Sequence, residues 1–159
     1  DALAVATLNK RKINKKDFKK FHPSGNLGAK LKTVEDLMLT KKKIPFIDEV
    51  STMKVALKII TSKKLGTLIV RNNRGDTTGI ITDGQIRRVV QKNDHLNTLK
   101  VKNVMTKNPF KVDKDALAIK ALSIMNENKI TSLCVYNLKN KKKTIGIIHI
   151  HNILEVGIH

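Results

Sequence analysis

Two stretches of this chain are near copies of one another. Residues 79–90 read GIITDGQIRRVV and residues 146–154 read GIIHIHNIL, with their Gly-Ile-Ile triplets 67 residues apart. The methionines of Met38-Leu39-Thr40 and Met105-Thr106 stand at the same offset. Between these markers, Ala56-Leu57-Lys58-Ile59-Ile60 matches Ala121-Leu122-Ser123-Ile124-Met125 at an offset of 65. Lys64-Leu65-Gly66-Thr67-Leu68 matches Lys129-Ile130-Thr131-Ser132-Leu133 at that same offset, so a two-residue loop difference on either side of these segments reconciles all four pairs. A unit this short cannot bury a full apolar face alone. Two copies are therefore expected to pack on each other, and the cleft between them is the place to look for a ligand.

Each copy reads in the same order. A leading strand or turn (Ile44-Pro45-Phe46-Ile47; Phe110-Lys111-Val112) precedes a helix led by Ser51 or Asp115. Val55, Ala56, Ile59 and Ile60 fall at helical spacing in the first copy. A β-rich run follows (67–70; 132–136), then a polar turn (72–77; 137–143), then a second strand beginning at the Gly-Ile-Ile triplet. A last helix is expected to begin near Gln85 or Asn152. The order β-α-β-β-α, twice, predicts an α/β (α+β) fold whose two repeats, 34–92 and 101–159, pack as a pseudo-twofold pair. Residues 1–32 differ: a helix-forming start, Asp17 able to cap a short helix bearing Phe18 and Phe21, then His-Pro-Ser-Gly-Asn-Leu-Gly to break it. That segment has too little apolar surface to fold alone and reads as a tail and linker.

Composition narrows the function classes. With 159 residues the chain buries one core or two small fused ones, and no apolar run approaches the roughly 20 residues that cross a bilayer. No signal peptide is visible, and the single cysteine, Cys134 in Leu-Cys-Val-Tyr, reads as a small buried hydrophobe. A cytoplasmic setting without a membrane partner is the expectation. The formal charge is +19, from 32 Lys and Arg against 13 acids, which would suit a polyanion. Yet the lysines are scattered, arginine is scarce, aromatics are 3%, and there is no stacking platform. A solvated basic surface, rather than specific nucleic-acid binding, follows.

The paired Met-Thr, amphipathic helix, hairpin and Gly-Ile-Ile-Thr-Asp-Gly pattern resembles a tandem CBS-domain pair. With Asp1-Ala2-Leu3-Ala4 and Phe21-His22-Pro23-Ser24-Gly25-Asn26-Leu27-Gly28 ahead of it, the chain resembles the C-terminal part of the bacterial D-arabinose-5-phosphate isomerase family. That family joins a sugar-isomerase (SIS) domain to a CBS pair and interconverts D-ribulose 5-phosphate and D-arabinose 5-phosphate, which supplies Kdo for lipopolysaccharide or capsule. The resemblance implies that residues 1–32 are the SIS tail and linker, and that the SIS domain of the parent chain is a partner. It also implies a homo-oligomer, a dimer of CBS pairs within a tetrameric parent, and a small-molecule effector. No cofactor is required; a nucleotide or a CMP-sugar such as CMP-Kdo is the effector to test. The rival reading is a purely structural dimerisation module that binds no ligand.

His22 falls in the segment similar to the family's His-Pro-Gly-Gly element, with Ser24 in place of the first glycine. The resemblance makes it a catalytic residue of the full-length parent only, because the lysine and carboxylate partners lie in the SIS domain. This chain alone is expected to be inactive. Thr82, Asp83 and Gln85 stand where strand meets helix, the ligand-facing corner of a CBS unit, and His149 and Asn152 hold the matching positions of the second copy. Adenosine-binding members carry Thr-x-x-Asp there, whereas this chain has Gln85 and Asn152 in place of the ribose-binding acid. The amides can still hydrogen-bond a sugar. Alternatively, Thr82 with Gln85 and Asn152 with Glu155 serve as capping boxes for their own helices. His149 and His151 would face one side of an extended strand, but no carboxylate or cysteine joins them, so no metal site is expected.

Overall fold

The structure, a computed structural model, describes residues 26–92 and 95–159. Two short helices, α1 (Asn26–Lys30) and α2 (Val34–Leu37), and a 3-10 turn at Lys41–Lys43 lead into the first unit. That unit runs β1 (Phe46–Asp48), α3 (Met53–Lys63), β2 (Thr67–Arg71), β3 (Thr77–Thr82) and α4 (Asp83–Gln91). A 3-10 turn at Val101–Asn103 and the two-residue strand β4 (Thr106–Lys107) connect to the second unit. It repeats the order as β5 (Lys111–Asp113), α5 (Ala118–Asn128), β6 (Ser132–Tyr136), β7 (Gly146–His149) and α6 (Ile150–Leu154). The expected β-α-β-β-α order is present twice.

The strand sequences explain how the two units meet. β2 and β6 each carry four consecutive buried residues, Thr67 to Val70 and Ser132 to Val135, so neither face of either strand meets water. Alternation then divides them. Leu68 and Val70 enter the core of their own unit with Met53, Ala56 and Ile60, while Ile69 points the other way. Leu133 and Val135 do the same in the second unit with Ala121 and Met125, while Cys134 points out. Ile69, Cys134, Ile44 and Ile147 form a third cluster that joins the two sheets. Each such aliphatic side chain contributes about 1.5–3 kcal/mol on full burial, so the seam is as much core as either unit is.

The units also exchange their edges. Sheet order is β1-β2-β3-β4 in one and β5-β6-β7 in the other, and β4 comes from the segment leading into the second unit. It pairs antiparallel with β3 through Gly79 with Lys107 and Ile80 with Thr106. Reciprocally, Leu39 bonds both ways with Ile147 on β7, at 2.8 and 3.0 Å. Val34 is fully buried in the second unit's core, and Val101 is fully buried in the first unit's. A lysine fastens the exchanged helix: Lys114 Nζ lies 3.1 Å from Glu35 Oε2 and 3.0 Å from Asp115 Oδ1. These two carboxylates, Asp115 first, raise the Lys114 pKa above its ordinary value.

Several local expectations shift by a few residues. The N-cap of α3 is Thr52, whose Oγ1 accepts from Val55 N at 3.4 Å, rather than Ser51. α5 follows Leu117 rather than Asp115, because Asp115 is held in a turn by Asp113 Oδ1. Met53, Ala56 and Ile60 carry the buried face of α3, and Val55 is 41% exposed. The last helices begin at Asp83 and Ile150, two residues before Gln85 and Asn152. His151 therefore lies on α6, not beside His149 on an extended strand. The expected breaker at Asn26-Leu27-Gly28 is instead the first turn of α1. His22 and the expectations for residues 1–25 lie outside the described residues. Among the described residues, no helix is long and apolar enough to cross a membrane.

Candidate functional site

A cleft of about 680 Å³ opens where the two units meet. Its walls come in repeat-related pairs. Lys64 to Thr67, between α3 and β2, face Lys129 to Ser132, between α5 and β6, and the corner at Thr82 to Gly84 faces His149 and His151. The segment Asn108-Pro109-Phe110 closes one side, with Phe110 52% exposed. Ile80, Leu65 and Ile130 supply further apolar surface beside Phe110, while the threonines at 67, 82, 106 and 131 supply hydroxyls. Such a wall suits a ligand with one flat apolar part and one hydrogen-bonding part.

Lys64 and Lys129 are the left-handed C-caps of α3 and α5, with φ of 58° and 53°. A side chain in this region costs roughly 1–2 kcal/mol that glycine would avoid. Both copies nevertheless place lysine there, each on the cleft wall. Asp83 is the acid of the site. Its backbone N–H donates to Gly66 O at 3.0 Å, and a Cβ added to Gly66, at φ 70°, would meet Asp83 Oδ2 at 3.2 Å.

The sequence-predicted residues divide. Thr82, Asp83 and His149 stand on the cleft wall, together with His151. Gln85 and Asn152 are engaged in capping. Gln85 Oε1 accepts from Thr82 N at 2.9 Å, and its Nε2 donates to Val104 O at 3.1 Å and Thr106 Oγ1 at 3.0 Å. Asn152 Oδ1 accepts from His149 N at 2.9 Å. The second capping box is thus His149 with Asn152, not Asn152 with Glu155, because α6 starts directly after β7. A third box, Thr33 with Asp36, opens α2.

His149 Nδ1 accepts from His151 N at 3.1 Å, and the two rings stack with centroids 4.8 Å apart. Burial, reinforced by the neighbouring His151, holds the His149 pKa below its ordinary value, so the ring stays a neutral acceptor. Among the described residues, no group of three or more His, Cys, Asp or Glu could hold a metal ion.

Sequence reasoning missed Ser132. Its hydroxyl is buried and has no hydrogen-bond partner, the single such side-chain atom among the described residues. The matching hydroxyl, Thr67 Oγ1, donates to Ile81 O at 3.2 Å. A buried hydroxyl left unpaired costs about 1–3 kcal/mol, and Ser132 is on the cleft wall. The alignment of Thr67 with Ser132 was visible in the repeat; that only one finds an internal partner was not.

The comparisons with known proteins give the family and the fold. A family model described as the CBS domain matches residues 34–92 and 101–159. Arabinose 5-phosphate isomerase KdsD of Yersinia pestis is 36% identical over 159 residues, covering 99% of this chain and 48% of that protein. The chain thus spans about half the length of the curated relatives it matches. Among solved structures, CBSX2, a CBS-pair protein of Arabidopsis thaliana, in complex with AMP superposes with a TM-score of 0.65 at 22% identity. The match covers 77% of this chain and 93% of that one. A CBS domain pair in complex with 5′-methylthioadenosine and S-adenosyl-L-methionine gives 0.69 at 18% identity, over 79% and 94%.

Proposed function

The chain belongs to the CBS-domain family, and on that premise we propose that it is the ligand-sensing, oligomerising regulatory part of a sugar-phosphate isomerase. The cleft between the repeats takes an adenosine nucleotide or a CMP-sugar such as CMP-Kdo. Phe110 and Ile80 cover the base, Thr82 and Asp83 meet the sugar hydroxyls, and Lys64, Lys129 and the His149–His151 pair meet the charged end. The observation that carries the reading is the Ser132 hydroxyl, a buried polar group on the cleft wall with no hydrogen-bond partner among the described residues. The 36% identity to an arabinose 5-phosphate isomerase supports a parent that interconverts ribulose and arabinose 5-phosphates in the bacterial cytoplasm. In that parent, ligand binding biases the arrangement of the two repeats, and the SIS domain that would contain His22's partners reads the change.

Thermal unfolding at fixed salt tests this, against AMP, ATP, S-adenosylmethionine, CMP-Kdo and both pentose phosphates. A true ligand at about 100 times its Kd adds about 2.7 kcal/mol of stability. Ser132→Ala should leave the free protein no less stable, since it deletes an unpaired hydroxyl, yet reduce the ligand-induced shift. No shift with any compound would reject the sensing function. It would favour the structural alternative, for which Val55 and Leu57 on α3 and Ile119 on α5, each at least 37% exposed, are the supporting observation.

A further inference from the structure

A second cleft, about 450 Å³, lies where the β2–β3 and β6–β7 turns meet, apart from the corners at Thr82 and His149. Thr77 and Thr144, 67 positions apart and so equivalent in the two repeats, touch here through their hydroxyls at 2.6 Å. Five cations line the cleft: Arg74, Lys111, Lys141, Lys142 and Lys143. One carboxylate, Asp76, accompanies them, 3.8 Å from Lys143 Nζ. Among the described residues, none of the other four cations makes an ion pair.

Two of these ammonium groups are held in place by neutral oxygens. Lys143 Nζ donates to Arg74 O at 2.5 Å, and Lys111 Nζ donates to Lys141 O at 3.2 Å while lying 5.2 Å from the centre of the Tyr136 ring. The backbone joins the two turns, with Thr77 N donating to Lys142 O at 2.8 Å. An ammonium has three N–H groups, so each anchored lysine keeps donors for a ligand.

The first repeat shows that this concentration is not a by-product of symmetry. There Phe46 holds the position of Lys111 and Arg71 holds that of Tyr136, as the matching strand registers show. Arg71 stacks over Phe46 at 4.2 Å and is paired with Asp48 at 3.8 Å. Cation and aromatic have thus exchanged strands. In the second repeat the cation stands on β5, on the wall of the cleft, without a carboxylate partner.

Like charges gathered in one concavity repel one another, and a multiply charged anion reverses the sign of every one of those interactions. We propose that this cleft is a binding site for a small phosphorylated metabolite carrying at least two negative charges, distinct from the cleft at Ser132, which it adjoins at Asn108 and Pro109. The cations take the phosphate oxygens, and Thr78 and Tyr136 line the same wall beside the rest of the molecule. A volume of about 450 Å³ suits a compound of that size.

Pyrophosphate is the probe, titrated calorimetrically into the chain at constant ionic strength, with amide chemical shifts followed in parallel. The expected result is saturable binding that moves the amides of Thr77 and Thr144 and leaves those of Lys64 and Ser132 in place. Lys111→Gln should weaken it about tenfold or more, and Lys143→Gln likewise, while Lys42→Gln in the exposed basic turn changes it less than about twofold. Because Lys143 also ties the two turns together, Lys111→Gln is the deciding variant, and its melting temperature should match that of the parent protein. Non-saturating binding, equal losses in Lys42→Gln and Lys111→Gln, or shifts confined to Lys64 and Ser132 would each overturn the proposal.

Discussion

The Cβ that Gly79 lacks would stand 2.6 Å from Met105 Sδ and 2.8 Å from Thr106 O. Gly146 meets Met38 in the same way, its absent Cβ falling 2.5 Å from Sδ and 3.1 Å from Leu39 O. The glycine of each Gly-Ile-Ile triplet is therefore a seat for the methionine of the opposite unit. Gly79→Ala and Gly146→Ala should each destabilise by about 1–3 kcal/mol, measured by urea unfolding. Gly79→Ala should cost more, since its neighbour at 2.8 Å is a backbone oxygen fixed by the β3–β4 ladder. Neutral alanines at both positions would show that the seats are not tight.

Gln85 fastens α4 to the exchanged segment, so its loss should be felt beyond the helix. Gln85→Ala removes a cap and two donated hydrogen bonds, and about 1–3 kcal/mol of stability should go with them. Gln85→Glu keeps the acceptor for Thr82 N but loses the donors to Val104 O and Thr106 Oγ1, and should recover only part of the deficit. Full recovery by glutamate would mean that the cap alone matters.

The pH dependence of stability should carry a signature of His149. Its folded pKa lies below its ordinary value of 6.5, so the unfolded chain binds the proton more readily. The stability from the neutral ring is complete above that ordinary value and is lost as pH falls through it to the folded value. Protonation at Nδ1 also removes the acceptor for His151 N. His149→Asn, which keeps a short side-chain acceptor that does not titrate, should flatten the fall in urea midpoint between about pH 7 and about pH 5. An unchanged slope in the variant would assign the titration elsewhere.

Burial pushes the Cys134 thiol up to about 11, and the residue is 3% exposed between the two sheets. At about pH 8 only about a thousandth of it is thiolate, the reactive form. A disulfide reagent such as Ellman's should label the native protein slowly, at a rate set by opening of the seam, and label it at once in denaturant. Fast native labelling would mean that the two sheets part readily.

Much of this architecture was legible in the chain because the repeat states each decision twice. The two aliphatic runs at 67–70 and 132–135 and the two triplets fixed the strands, and the Thr82–Gln85 box announced α4. What escaped was non-local. No periodicity within residues 34–40 says that Val34 will be buried in the second unit, or that Leu39 will pair with Ile147. The His149–Asn152 box was hidden because imidazole is an uncommon cap. Thr67 bonds Ile81 O while Ser132 finds no such partner, a difference of side-chain placement that the aligned hydroxyl residues do not record.

The exchange of edges has a consequence for how the chain can come apart. Severed in the connection between residues 92 and 95, the N-terminal piece would carry the helix α2 and the Leu39 bridge that finish the C-terminal piece, and would lack β4 of its own sheet. Either piece alone would present a bare β edge and an unfilled core, with a second copy of itself as the nearest source of the missing part. Mixed, the two pieces should reassemble into one particle, whereas a swap of whole repeats between chains would carry the wrong halves with it. The heritable folding unit is thus the pair, and neither repeat is a module that can be moved by itself.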